Sequence, residues 1–170
     1  MNAAPPPDGI CLVFRSSPRM LCVVRAAVRQ FLAQASFDEG LTERVTLAID
    51  ESCTNVIRHG YQGCEDGLME LTLGIAERSG RSRQLEIRLA DEACKAPSEA
   101  MKAPAPSAPT TPGGLGLHFI HEVMDEVCFD ENVERGNVLI LRLGCPEAAE
   151  PNDGARASSG SDQGPGGSSC

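Results

Sequence analysis

The chain has 170 residues, enough for one domain of ordinary size with room for a tail. Hydrophobic residues make up 41%, sufficient for a core, yet no stretch approaches the roughly 20 apolar residues that cross a bilayer. A formal net charge of -9 opposes direct contact with nucleic acid or anionic membrane, since such a surface repels both over about one Debye length.

Five Phe, one Tyr and no Trp leave the core to aliphatic side chains. Met1 to Gly9 is proline-rich and lacks a basic start followed by an apolar run, so the expected compartment is the cytoplasm. None of the eight cysteines pairs at C-x-x-C spacing, which argues against a zinc or dithiol site and for small apolar fillers.

Ile10 to Phe14 reads as a strand. Ser17-Pro18 follows as an N-cap with proline at the first helical position, and Leu21, Val24, Val28, Phe31 and Leu32 recur at helical spacing to about Ser36. After a turn at Asp38 to Gly40, Thr42 is the expected cap of a second helix. Its inward stripe is Val45, Ala48, Ile49, Ser52 and Val56, and its end falls near His59-Gly60, where glycine can take the left-handed closing conformation. Met69, Leu71, Leu73 and Ile75 alternate, as do Leu85, Ile87 and Leu89, predicting a hairpin across Arg78 to Arg83. Residues 91–112, with five prolines, form a loop. Gly113 to Gly116 then opens a helix carrying Leu117, Ile120, Met124 and Val127, and Cys128 to Asn132 pairs with Val138 to Leu143 as a last hairpin. Residues 1–9 and the Gly/Ser-rich 146–170 are expected to be disordered, around one domain at 10–145. The expected fold is an α+β two-layer sandwich, a mostly antiparallel mixed sheet covered on one face by three helices.

On the second helix Glu51, Asn55 and Arg58 fall on one stripe beside the apolar face. A carboxylate and an amide one turn apart suit Mg²⁺, which takes oxygen ligands, or else the carboxylate serves as a general base. A solvated helix edge is the plain alternative. Thr111-Pro112-Gly113-Gly114-Leu115-Gly116-Leu117 leads into a helix, so converging backbone N–H groups and the helix terminus form an anion cradle, with a flexible hinge as the alternative. No Gly-Lys-Ser/Thr follows, which excludes the P-loop. His59, by its helical angle, turns towards the apolar face as a structural histidine.

Asp50-Glu51-Ser52-Cys53-Thr54-Asn55-Val56-Ile57-Arg58-His59-Gly60-Tyr61 closely resembles the N-box of the gyrase, chaperone and histidine-kinase ATPase superfamily, and Gly113 to Leu117 its second glycine box. Met124-Asp125-Glu126-Val127 is similar to a segment of the anti-sigma factor serine kinases within it. The resemblance spans about Ile10 to Leu143 and implies the Bergerat ATP-binding fold. It implies Glu51 as general base towards a protein serine, Asn55 as Mg²⁺ ligand, and Asp91 as acceptor of the adenine amine. It further implies 92–112 as a lid, and backbone N–H groups of Gly114, Leu115 and Gly116 at the ATP phosphates, with Gly113 and Leu117 beside them. Arg58 and His59 lie near enough in sequence to reach the phosphate region. Partners implied are an anti-sigma factor antagonist, a sigma factor and a second copy of the chain.

One departure stands out. The first glycine box of this branch starts Asp-x-Gly, whereas this chain has Asp91-Glu92-Ala93, and the lid offers only Lys95 and Lys102 to phosphate charge. If position 93 needs a positive φ, alanine costs about 1 kcal/mol or more. Three functions therefore stand open: a serine kinase that sequesters a sigma factor, a binding module without turnover, and a detached histidine-kinase catalytic half. The last lacks room for a phosphoacceptor hairpin, and His59, His118 and His121 all sit inside the ATP domain.

Overall fold

The computed structural model describes residues 8–77, 83–94 and 115–145. In chain order its elements are β1 (Ile10–Arg15), α1 (Leu21–Gln34), α2 (Glu39–Asn55), β2 (Leu68–Glu77), β3 (Arg83–Asp91), α3 (Leu115–Val123), β4 (Glu126–Phe129) and β5 (Asn137–Gly144). The expected disordered ends lie outside the described residues, apart from Asp8 and Gly9.

The period of two in β2 and β3 becomes an antiparallel ladder in which Leu71 faces Leu89 and Leu73 faces Ile87. β5 pairs with the other side of β3 and β4 closes the sheet, giving the order β1-β2-β3-β5-β4. All four pairings are antiparallel, so the expected mixed character is absent among the described strands. Leu71, Leu73, Leu85, Ile87 and Leu141 point to one face and are fully buried there with Val28, Leu32, Val45, Ile49 and Ile120 of the three helices. Each such side chain contributes about 1.5–3 kcal/mol on leaving water. The polar residues of α2 that enter this core bond back to their own helix: Thr46 Oγ1 donates to Thr42 O at 2.7 Å and Ser52 Oγ to Ala48 O at 2.8 Å.

Three local expectations are corrected. α2 is capped by Asp38, whose carboxylate accepts from Leu41 N at 3.0 Å, and not by Thr42. Aspartate caps as well as threonine and stands earlier; Thr42 is buried inside the helix, its Oγ1 without a hydrogen bond. α3 ends at Val123, so Val127 and Cys128 lie in β4 rather than in a helix and a later strand. Asp125 makes that early exit: its backbone N–H donates to Arg142 O at 2.9 Å and its carboxylate accepts from Gly144 N at 2.7 Å, stitching the α3–β4 junction to β5. The third correction lies at the end of α2, within the candidate site.

The sheet register brings Met69, Asp91 and Asn137 side by side, so the start of β2, the end of β3 and the start of β5 share one end of the sheet.

Candidate functional site

Asp50 and Glu51, adjacent in sequence, have opposite surroundings. Asp50 accepts from Arg25 of α1 at 2.8 Å. Glu51 has no hydrogen bond or ion pair among the described residues, and its carboxylate lies against the first turn of α3, where a Cβ on Gly116 would overlap Oε2 and stand 3.1 Å from Cδ. The first four N–H groups of a helix have no partner inside it. A half-buried carboxylate thus sits beside the electropositive end of α3 only because residue 116 has no side chain. Asn55, one turn on, is half-buried and its amide likewise has no partner among the described residues. Between them Cys53 is fully buried, and burial first, then Asp50, pushes its thiol up to about 12.

After Asn55 the helix widens into a π-turn, Val56–Gly60, in which Tyr61 N donates to Val56 O at 2.9 Å. The widened turn breaks the 100° spacing of the helix, and Ile57 is the residue of this turn that is buried. His59 is therefore exposed, not turned into the apolar face, and Arg58 beside it is exposed as well. Nor does Gly60 take a left-handed conformation: the positive φ values are at Gln62 (53°) and Gly63 (82°).

Asp91 is buried at the end of β3. Its Oδ1 accepts from Ala93 N and from Asn137 Nδ2, both at 2.9 Å, and Oδ2 has no partner among the described residues. Burial raises this carboxyl above the ordinary aspartate range, the Asn137 and Ala93 donors pulling the other way. Asn137 Nδ2 also donates to Cys94 O at 3.1 Å. Next to it Gly136 has φ +70°, and a Cβ there would overlap the Asp91 carbonyl. A cavity of about 720 Å³ opens here, lined by Asp91, Ala93 and Cys94 on one side and the Val133–Val138 hairpin on the other. Glu51 and Asn55 are not in its lining.

Ala93 does not have a positive φ, and its methyl packs 3.1 Å from where a Cβ on Gly60 would stand. The space that alanine takes at the first glycine box is yielded by glycine at the end of the N-box. The anticipated strain is absent.

The fold thus brings Glu51 and Gly116 together, with Asn55 one turn further along α2, while Asp91 stands at the end of the sheet, where the neighbouring Ala93 packs against Gly60. Leu115 is exposed at the start of α3 and Leu117 half-buried. Gly113, Gly114 and the expected lid from Lys95 onward lie outside the described residues. Two residues that bond to the Asp91–Glu92 turn left little mark in the sequence. Asn137 had no signal beyond a polar residue opening a strand after a Glu-Arg-Gly turn, and Tyr61 was legible only as the last letter of the N-box. Among the described residues no three His, Cys, Asp or Glu side chains converge as a metal cage, and no helix is long and apolar enough to cross a membrane.

Residues 14–143 match the family described as histidine kinase-like ATPase domain. The serine-protein kinase RsbW of Listeria innocua is 27% identical over 135 residues, 74% of this chain and 83% of that protein. RsbW of Bacillus subtilis is 25% identical over 129 residues, 71% and 76%, and the anti-sigma F factor of Heyndrickxia coagulans 30% identical over 137 residues, 77% and 88%. Among solved structures, the RsbU and RsbW domains of a Mycobacterium tuberculosis protein share the fold, with a TM-score of 0.54 at 18% identity over 84% of this chain and 34% of that longer one. The chain belongs to the histidine kinase-like ATPase domain family and, within it, to the group of RsbW serine-protein kinases and anti-sigma F factors.

Proposed function

We propose that this chain is an ATP-dependent protein-serine kinase acting as an anti-sigma factor in the cytoplasm. In this reading it phosphorylates a serine on an antagonist protein, sequesters a sigma factor when the antagonist is absent, and works as a homodimer without touching nucleic acid. The observation that carries the reading is the placement of Glu51: a carboxylate without a partner among the described residues, at the mouth of a helix N-terminus, on a glycine that makes room for it.

The residues present fit an adenine nucleotide and Mg²⁺. Asp91 Oδ2 is available to the exocyclic amine of the base, since Oδ1 takes both protein donors. Asn55, half-buried, offers one amide oxygen, which suits a cation that takes oxygen ligands and keeps several of its waters. Bound there, Mg²⁺ supplies neutralisation of phosphate charge. The N–H groups of Leu115, Gly116 and Leu117, with Gly113 and Gly114 before them, would face the phosphates, and exposed Arg58 and His59, in the turn after Asn55, would reach towards them. Glu51 takes the proton of the attacking serine hydroxyl as the Oγ–P bond forms and the bond between the γ-phosphorus and ADP breaks.

Calorimetric titration with ADP and ATP plus Mg²⁺, followed by labelled-ATP incubation with the antagonist captured by pull-down, tests this. Expected are micromolar binding, retained in Glu51→Ala, and acid-stable phosphoserine on the antagonist, absent with that variant. Phosphotransfer by Glu51→Ala would remove the assigned base. No nucleotide binding by the unaltered chain would make it a sequestering module instead.

A further inference from the structure

The turn that carries Asp91 is held from two sides. On one, Asn137 binds Asp91 Oδ1 and Cys94 O. On the other stands Tyr61, whose hydroxyl accepts from Glu92 N at 2.9 Å and donates to Leu68 O at 2.5 Å. The proton has only one place to go, because a carbonyl can only accept and a backbone N–H can only donate. One hydroxyl therefore ties the residue after Asp91 to the first residue of β2. The ring is placed by two further features. Its backbone N–H closes the π-turn on Val56 O at 2.9 Å, and the ring lies so close to Gly67 that a Cβ there would overlap it. A continuous α-helix would send residue 61 out at a different angle, so the π-turn serves to aim this side chain.

We propose that Tyr61 is a positioning and specificity-determining residue, fixing the Asp91 turn so that Oδ2 meets the 6-amino group of the base and coupling the end of the N-box helix to base recognition. The proposal rests on the reading of Asp91 as base acceptor. Through Tyr61, the element bearing Glu51 and Asn55 and the turn that selects adenine share one hydrogen-bonded joint, and loss of the hydroxyl frees Glu92 N to leave its place.

The test compares Kd for ATP and for purine riboside triphosphate, which lacks only the 6-amino group, in the unaltered protein and in Tyr61→Phe. In the unaltered protein ATP binds about ten-fold or more tightly than the analogue. In Tyr61→Phe that ratio falls to within about two-fold, mainly through weaker ATP binding. Gly67→Ala displaces the ring while keeping the hydroxyl and reduces the same ratio, so the proposal does not depend on one variant. A ratio unchanged in both variants overturns the role of Tyr61 and leaves the nucleotide site standing. Equal binding of the two nucleotides by the unaltered protein overturns Asp91 as base acceptor, and the role of Tyr61 with it.

Discussion

Replacing Gly116 by alanine separates folding from chemistry. The new methyl would occupy the space of Glu51 Oε2 and stand 3.1 Å from Cδ and 3.5 Å from Cγ. The obstacle is the far end of a flexible side chain, so Glu51 yields by turning off its rotamer at about 0.5–1.5 kcal/mol. Alanine in a helix regains up to about 1 kcal/mol over glycine, and the two effects nearly cancel. Stability to urea is therefore expected to change by less than about 1 kcal/mol. The carboxylate, however, moves by about an ångström, and misplacement of that size costs about 100-fold in rate, about 2.7 kcal/mol on the barrier. Single-turnover phosphotransfer to the antagonist, read beside a urea curve and an ADP titration, would show a slow but folded, nucleotide-binding protein. A rate within about three-fold of the unaltered chain would refute the placement of the base. A stability loss above about 3 kcal/mol would show that Glu51 is fixed there for folding.

Other substitutions and conditions test the remaining parts of the site. Asn55→Ala should weaken Mg²⁺-dependent ADP binding by about ten-fold or more in calorimetry, with stability within about 0.5 kcal/mol, since the amide holds nothing in the protein among the described residues. Gly136→Ala adds a left-handed penalty of about 1–2 kcal/mol to an overlap with the immovable Asp91 carbonyl, so a urea-curve loss of at least about 2 kcal/mol is expected, and near-neutrality would contradict it. Because burial raises the Asp91 carboxyl and the amine needs the ionised form, ADP affinity should fall on acidification from a higher pH than an ordinary aspartate would give. The same shift gives the opposite slope for folding: the folded state holds this proton more tightly than the unfolded one, so the stability it contributes is present below the unfolded pKa and lost as pH rises through the folded one. An Asp91→Asn variant should flatten both profiles.

Much of the fold was legible because its signals are periodic. Alternation in β2 and β3 fixed both strands and their pairing, and the stripes of α1 and α2 fixed the helix-covered face. What failed were choices between neighbours of similar propensity. Asp38 and Thr42 are both good caps, and only the packing of Thr42 decides between them. Val127 continues the helical period of Ile120 and Met124, but Asp125 finds partners on β5 and draws the chain into a strand. The grouping proposed as the site was legible where it depended on residue types in one segment, as with Glu51 and Asn55. It was not where it depended on register: Asn137 meets Asp91 only because β5 pairs beside β3, across 46 positions of sequence. His59 failed for a third reason, since a π-turn leaves no mark in residue spacing.

Cys53 gives the helix that carries Glu51 and Asn55 a clock of its own. Only thiolate reacts with alkylating reagents, and a thiol at about 12 would hold roughly one part in ten thousand as thiolate at pH 8, even if reagent reached it. Full burial bars the reagent too. Alkylation there proceeds through openings of α2 that return the thiol to water, while exposed Cys64 and Cys94 report the unhindered rate on the same molecule. The ratio of the two rates is the opening equilibrium of that helix, and nucleotide or partner binding that steadies it would slow the labelling of Cys53 in proportion.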